Sequence, residues 1–429
     1  MKQNKNKIKS EFTKNVLTLI TGTAIAQAIP LAITPILTRI YTPNDFGLFA
    51  LFIAIVTILS VIATGRYEFA ILLPKQDHDA KTILAISCII TSLVSLFLFI
   101  LVFIFNDLFT NFLGNPEISF WLYFIPFAIF LNGIYQSLIY WSNRKKQYRR
   151  LANTRILQSG IIASTNLGVG MSGFSNMGLI FGQIIGQIVA TTYLIKKIVK
   201  EDNKIFTNIK KLHLFVLLRR YSKFPKVDIP ASLFNVSSHQ IIHLFFNTIF
   251  NATTAGYFYL TQRILGIPVS ILSSAILTVF QEQAAKDFKE FGHAKEIFLS
   301  TFKKLFILIL IPSVAFYIYA IDLFIFVFGE EWKIAGVYAQ ILTPMLFLQF
   351  IVGPLSIMLY IGEKQEVNLY MQAILLTLVI ISFSLGVTAE NVVVYLSLSF
   401  SFFYLIQLFM AFKVAGFLNF QGLYHDYEE

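Results

Sequence analysis

The sequence predicts an all-α polytopic membrane protein: twelve transmembrane helices in two six-helix lobes related by a pseudo-twofold axis along the membrane normal. Composition, recurring apolar windows and the distribution of positive charge predict this fold class. Of the 429 residues, 56% are hydrophobic and 16% are aromatic, which is more than the surface of a water-soluble protein tolerates. The main solvent of the folded chain is therefore expected to be lipid.

A spanning helix needs about 20 mostly apolar residues to cross roughly 30 Å of hydrocarbon. Such windows recur along the whole chain. The predicted spans lie at about 15–40, 46–65, 81–105, 120–142, 151–172, 177–199, 228–250, 254–280, 303–322, 337–361, 366–388 and 391–415. The first window is longer than the core of a signal peptide and lacks a small-residue cleavage site after it, so it is expected to be a retained helix.

Positive charge falls mainly on one side of this topology. With the amino terminus inside, the 34 Lys and Arg residues lie in inward loops and tails, except for Arg39, Lys333 and Arg263. This asymmetry follows the positive-inside rule and predicts that both termini are cytoplasmic. It also explains the net charge of +11 as membrane topology, so nucleic-acid binding is not expected.

Two pairs of similar segments indicate an internal duplication. "YTPNDFGLFAL" from Tyr41 resembles "FNATTAGYFYL" from Phe250, and "DLFTNFLG" from Asp107 resembles "DLFIFVFG" from Asp322. The expected organisation is a first lobe over residues 1–200, a basic amphipathic linker over 201–227 and a second lobe over 228–429. The linker suits a helix on the anionic inner leaflet, and a solvated basic connection is the alternative.

Five residues are candidates for binding a substrate. Arg263 lies within the eighth predicted span, where an arginine costs about 2.5 to 3.5 kcal/mol unless it faces a polar interior. Gln262 precedes it, Arg39 ends the first span, and Arg66 with Glu68 follows the second. An anionic ligand is the expected role for Arg263, and an interhelical polar contact is the alternative. Arg66 could instead be an inside anchor that pairs with Glu68.

Other polar residues have weaker functional interpretations. His239 and His243 are spaced for a shared metal ion, but the sequence shows no third ligand, so packing or a polar cavity wall is favoured and no metal site is predicted. Asp77 and Asp79 could form the carboxylate pair of a glycosyltransferase, although a solvated loop explains them better. No Gly-rich phosphate loop is present, and neither a cofactor nor an enzymatic activity is expected.

Four segments resemble lipid-linked oligosaccharide flippases of bacterial polysaccharide synthesis, in the multidrug/oligosaccharidyl-lipid/polysaccharide exporter superfamily. The segments are "GTAIAQAIPLAITPILTRIYTPNDFGLFALF", "ATGRYEFAILLPKQDHDA", "RRYSKFPKVDIPASLFN" and "AGYFYLTQRILGIPVS". The resemblance implies two six-helix lobes around a central cavity. It also implies that Arg39, Arg66 and Arg263 engage a pyrophosphate.

The implied substrate is an undecaprenyl-pyrophosphate-linked repeat unit of O antigen, lipopolysaccharide or capsule, moved across the bacterial inner membrane to the outer leaflet. Membrane lipid, a coupling proton or sodium ion and a polysaccharide polymerase are the implied partners. Amides such as Gln136, Gln183, Gln262 and Gln349 are expected to line the cavity. A drug or small-metabolite exporter of the same fold and a membrane glycan polymerase or ligase are the alternatives.

Overall fold

The computed structural model describes residues 2–173, 175–202, 211–362 and 364–417, and these residues contain no β-strand. Within them lie twelve helices of 17 residues or more. They are α1 (Lys2–Leu37), α2 (Pro43–Ala63), α3 (Asp77–Leu113), α4 (Ile125–Arg144), α5 (Tyr148–Met171), α6 (Ser175–Glu201), α7 (Ile229–Phe245), α8 (Ala252–Phe291), α9 (Lys295–Phe328), α10 (Lys333–Leu355), α11 (Gln365–Leu385) and α12 (Ala389–Phe412). Each coincides with one predicted span, so the predicted fold class is confirmed.

Eight of the helices in the described residues are long and apolar enough to cross a membrane by themselves. Several exceed the thickness of the hydrocarbon layer, because α3, α8 and α9 contain 37, 40 and 34 residues where about 20 suffice. The predicted spans located these helices but were too short at their ends, since apolar windows stop where polar residues begin and helices continue beyond them.

Lipid-facing and central helices differ in what they expose. Phe103 and Phe112 of α3 are 68% and 80% exposed, as expected for a helix face in contact with lipid acyl chains. In contrast, Phe46 and Phe52 of α2 are fully buried. Helix α2 is thus a central element, packed against α4, α6 and α7.

Contacts divide the chain into two compact units, Met1–Leu260 and Thr261–Glu429. The first unit includes α7, which packs on α2, although the sequence assigns this span to a second lobe beginning at residue 228. The expected lobe boundaries stay a prediction. Residues 203–210 of the expected linker and 418–429 of the expected second lobe lie outside the described residues.

The start of α2 explains why a polar turn interrupts the apolar run. The Thr42 hydroxyl accepts a hydrogen bond from the Asp45 amide at 3.3 Å, and the Asp45 carboxylate accepts one from the Thr42 amide at 2.8 Å. This reciprocal capping box satisfies amides that the first helical turn leaves unpaired. Pro43 occupies the first turn, where its missing N–H costs nothing. The polar residues Thr42 and Asp45, with Pro43, therefore begin the helix.

The two copies of the repeated segment meet at the glycines that the sequence comparison aligns. A Cβ atom on Gly47 would lie 1.7 Å from the carbonyl oxygen of Ala252, and one on Gly256 would lie 1.8 Å from that of Pro43. Both obstacles are backbone atoms. The first turns of α2 and α8 therefore approach so closely that neither position accepts a side chain.

Candidate functional site

A polar cavity of about 480 Å³ lies within the first unit. Its walls come from α2, α4, α5, α6 and the short helix Tyr67–Ala70. The lining residues are mostly hydroxyl, amide and charged side chains: Thr57, Ser60, Thr64, Arg66, Glu68, Asn132, Gln136, Gln158 and Gln187, with Val61, Phe69, Gly133, Tyr135 and Tyr140. Such a surface can replace the hydration of a polar ligand inside a membrane protein.

Arg66 enters the cavity from a backbone turn at the end of α2. Gly65 and Arg66 both have φ of 61°, and the left-handed conformation of Arg66 is uncommon for a residue with a side chain. A bend of this kind often accompanies a functional position. It directs the guanidinium to α7, where Nη2 donates a hydrogen bond to Ser232 Oγ.

Two carboxylates lie close to the Arg66 guanidinium. Its Nε lies 2.8 Å from Asp228 Oδ2, and its Nη1 lies 3.7 Å from Glu68 Oε1. The guanidinium also stacks on the Phe69 ring at 5.0 Å. Asp228 ends a π-helical turn, Phe224–Asp228, just before α7. Arg66 is therefore a partly buried cation held by anions that another anionic group could replace.

Glu68 is the buried carboxyl group of the site. It is 5% exposed and accepts a hydrogen bond from the Thr64 hydroxyl. Burial raises the pKa of Glu68 above its ordinary value, and this effect outweighs the opposing hydrogen bond from Thr64 and the attraction of Arg66. Because burial penalises the charged form, Glu68 can take up a proton more readily than an exposed glutamate.

The amides form a second polar surface in the cavity. Gln158 Nε2 donates a hydrogen bond to Gln187 Oε1, while Gln187 Nε2 is buried without a partner among the described residues. Leaving such a donor unpaired costs about 1 to 3 kcal/mol. Gln187 and Gln183 also line a smaller adjoining pocket of about 90 Å³. A ligand with hydroxyl or carbonyl acceptors could pair with these groups.

Two of these five amides match the prediction from sequence. Gln136 and Gln183 line the two pockets as expected, whereas Asn132, Gln158 and Gln187 are not among the predicted residues. The missed signal is spacing: Asn132 precedes Gln136 by four residues, and Gln183 precedes Gln187 by four. Residues at that spacing share one helix face.

Two of the five predicted site residues, Arg66 and Glu68, lie together in the cavity of the first unit. Arg39 is exposed in the turn after α1, whereas Arg66 follows the far end of α2, a 21-residue helix about 30 Å long. Gln262 and Arg263 are half-buried in α8 and belong to the second compact unit. The roles of all five residues stay predictions.

The remaining candidates take other partners. Asp77 pairs with Arg144, at 3.1 Å, and with Lys145, whereas Asp79 lies 2.9 Å from His213 Nε2. The two carboxylates are therefore engaged separately. His243 is buried, with its ring 5.6 Å from Phe258 and 5.7 Å from Tyr259, which is the packing role favoured for it.

The sequence profile of a family described as "Polysaccharide biosynthesis protein" matches residues 36–337, which include both Arg66 and Arg263. The chain belongs to this polysaccharide biosynthesis family. The match confirms the predicted family resemblance. No curated protein sequence matches the chain significantly.

Solved structures show the fold that this family member shares with membrane transporters. "Lipid II flippase MurJ, inward closed conformation" superposes with a TM-score of 0.73 at 14% identity, covering 93% of this chain and 90% of that one. A multidrug resistance MATE family transporter of the MOP superfamily, in an inward-facing conformation, gives 0.67 at 13% identity, covering 92% and 94%. A mutant of the Vibrio cholerae MATE transporter VcmN gives 0.55 at 12% identity, covering 96% and 98%. With eight helices in the described residues long and apolar enough to cross a membrane, the family member has the fold of these multi-pass membrane proteins.

Proposed function

We propose that this protein is a flippase that moves an undecaprenyl-pyrophosphate-linked oligosaccharide repeat unit from the cytoplasmic to the outer leaflet of a bacterial inner membrane. Membership of a polysaccharide biosynthesis family supports the glycan part of the substrate. The polar cavity that holds Arg66 and Glu68 is the observation that carries the proposal. No bond is made or broken in this process, so no catalytic group is required.

A pyrophosphate-sugar head cannot enter hydrocarbon without losing the hydration of its charges and hydroxyls. The cavity offers replacements for both. Arg66 presents a planar guanidinium suited to two phosphate oxygens, and the amides of Asn132, Gln136 and Gln187 suit sugar hydroxyls. The polyprenyl chain stays in the lipid while the head crosses.

Asp228 and Glu68 are the two carboxylates paired with Arg66. A pyrophosphate would displace the half-exposed Asp228 carboxylate, whose side chain is 41% exposed, more easily than the Glu68 carboxyl group, whose side chain is 6% exposed. Protonation would neutralise Glu68 and weaken its attraction to Arg66. Arg66 would then bind the pyrophosphate of the substrate more strongly. This exchange links a coupling proton to substrate binding within one cavity, and a sodium ion is the alternative coupling ion.

Arg263 and Arg39 would act at other stages of transport. Arg263, with Gln262 beside it, lies eleven residues into α8, about 16 Å from the helix start, and is proposed as a second phosphate contact. Arg39 is separated from Arg66 by the length of α2 and would meet the substrate at the outer end. The substrate would meet Arg66, Arg263 and Arg39 at different stages, as the cavity opens first to one leaflet and then to the other.

A drug or small-metabolite exporter is the second candidate, because MATE transporters share the fold. An exporter of organic cations would need buried carboxylates that are free to bind the drug. In the first unit, the buried Glu68 is engaged by Thr64 and Arg66. The anionic substrate is therefore favoured. A glycan polymerase or ligase remains the alternative from a different class of protein.

The test of the flippase proposal measures which leaflet holds the lipid-linked repeat unit. The gene is deleted in a host without a redundant transporter, and the outer-leaflet fraction is read with a membrane-impermeant sugar-oxidising reagent. Deletion should confine the lipid-linked unit to the inner leaflet, and the wild-type gene should restore delivery. Normal delivery in the deletion strain would refute the proposal.

A matched pair of variants tests Arg66 itself. Arg66→Ala should lower delivery at least tenfold, because about 1.4 kcal/mol of lost binding corresponds to that factor. Arg149→Ala removes an exposed arginine outside the cavity and should leave delivery unchanged. Equal delivery by the two variants, at equal expression, would remove Arg66 from the site.

A further inference from the structure

Three potential metal ligands converge on the predicted cytoplasmic side, outside the polar cavity. His213 Nε2 lies 2.9 Å from Asp79 Oδ1, and the rings of His78 and His213 have centroids 5.2 Å apart. One ligand atom from each of the three side chains lies within 4.8 Å of the other two. This His78–Asp79–His213 cluster has no part in the proposed transport chemistry.

The fold positions the three ligands independently of any ion. His78 and Asp79 are adjacent in the first turn of α3. His213 comes from the linker helix, defined here as Lys211–Arg220, which two other contacts fix against the bundle. Leu217 is 2% exposed in an apolar core, and the Tyr67 hydroxyl donates to the Leu218 carbonyl at 2.9 Å. The third ligand is therefore held beside the first two.

The chemistry of the cluster selects a particular class of cation. Two imidazoles and one carboxylate are the donors that zinc prefers in sites that keep a fourth position open to water. Tetrahedral bonds of 2.0–2.1 Å place neighbouring ligand atoms about 3.4 Å apart, which lies within the spacing of the cluster. Calcium and magnesium require more oxygen ligands, and the adjacent Asp77 carboxylate is occupied by Arg144 and Lys145.

We propose that His78, Asp79 and His213 bind one zinc ion, which fastens the linker helix to the first turn of α3. Because His213 is separated from Asp79 by 134 residues, the ion closes a long loop of the chain. The linker helix precedes α7, which carries the Ser232 hydroxyl bound by Arg66. Zinc thus stiffens the connection that leads into the transport site.

The test uses the full-length protein, purified through an affinity tag without histidines and stripped with a chelator. Titration calorimetry with zinc chloride should show one equivalent bound, and cobalt(II) should give the visible absorption of a tetrahedral site. His78→Ala and His213→Ala should each weaken zinc binding at least tenfold. His78 is exposed, so its replacement leaves the fold intact even if His213→Ala loosens the linker helix.

His293→Ala is the matched control, because His293 is an exposed histidine outside the cluster. It should bind zinc as tightly as the wild type. Zinc should also raise the thermal midpoint of the wild type and of His293→Ala, since a ligand stabilises the state that binds it. Absence of stoichiometric binding by the wild type, or equal affinity in His78→Ala and His293→Ala, would overturn the proposal.

Discussion

At the scale of residues, the site depends on polar side chains whose burial costs stability. Glu68 is a buried acid beside a cation, and Gln187 is a buried amide with an unpaired donor among the described residues. Such features cost stability and are retained where a ligand or a proton compensates for them. Replacing either residue should therefore affect stability and transport differently.

Stability should depend on pH through Glu68. Its pKa is raised above the ordinary value of 4.5, so the folded protein binds the proton more tightly than the unfolded chain does. The resulting stabilisation is complete below that ordinary pKa and is lost as the pH rises through the folded-state pKa. The wild-type thermal midpoint should therefore fall relative to that of Glu68→Gln as the pH rises above 4.5, measured by fluorescence-monitored melting. Parallel pH profiles of the two proteins would contradict this.

Gln187→Leu should lower transport without lowering stability. The change removes a buried donor that lacks a partner among the described residues and also the acceptor of the Gln158 hydrogen bond, and these two contributions to the free energy of unfolding, each about 1 kcal/mol, have opposite signs. It also removes an amide from the cavity, so outer-leaflet delivery should decrease. Melting and the leaflet assay measure the two effects. A lower thermal midpoint with full delivery would show that Gln187 is structural.

At the scale of elements, glycine decides how closely α2 and α8 approach. Gly256→Ala places a Cβ against the Pro43 carbonyl, and overpacking of this kind costs about 1 to 3 kcal/mol. Gly266→Ala in the same helix has nothing within 4 Å of the new Cβ. It should gain about 0.5 to 1 kcal/mol from helix propensity.

Melting of these two variants in detergent therefore gives shifts of opposite sign. The comparison holds helix and substitution constant and changes only the space around the new methyl group. If Gly256→Ala and Gly266→Ala melted at the same temperature, the close approach at Gly256 would be refuted.

At the scale of the whole molecule, topology can be tested with the single cysteine of the chain. In a Cys88→Ala background, Asn111→Cys places a thiol at the exposed end of α3, and Gln147→Cys places one in the loop between α4 and α5. The positive-inside rule assigns these positions to opposite sides. A membrane-impermeant thiol reagent added to intact cells should label Asn111→Cys only. Labelling of Gln147→Cys alone would show that the topology is the reverse of the predicted one.

The sequence was sufficient for the helices and only partly sufficient for the site. Apolar windows locate spans because lipid requires them wherever a helix is exposed, as at Phe103 and Phe112. The pairing of Arg66 with Asp228 joins residues 162 positions apart, and Asp79 meets His213 across 134. Neither meeting follows from periodicity, because it depends on which helices pack together.

The contact between Gly47 and Gly256 has a consequence for the origin of the fold. The two glycines hold equivalent places in the repeated segments, and each packs on the backbone of the other copy. In a two-fold homodimer, a residue on the axis meets its own counterpart in this way. If the halves arose by duplication of a six-helix ancestor, that ancestor needed only one glycine to form both sides of its dimer contact. After fusion of the two genes, each glycine was encoded separately. A mutation of either glycine alone would then disrupt a contact that one codon had encoded in the ancestor.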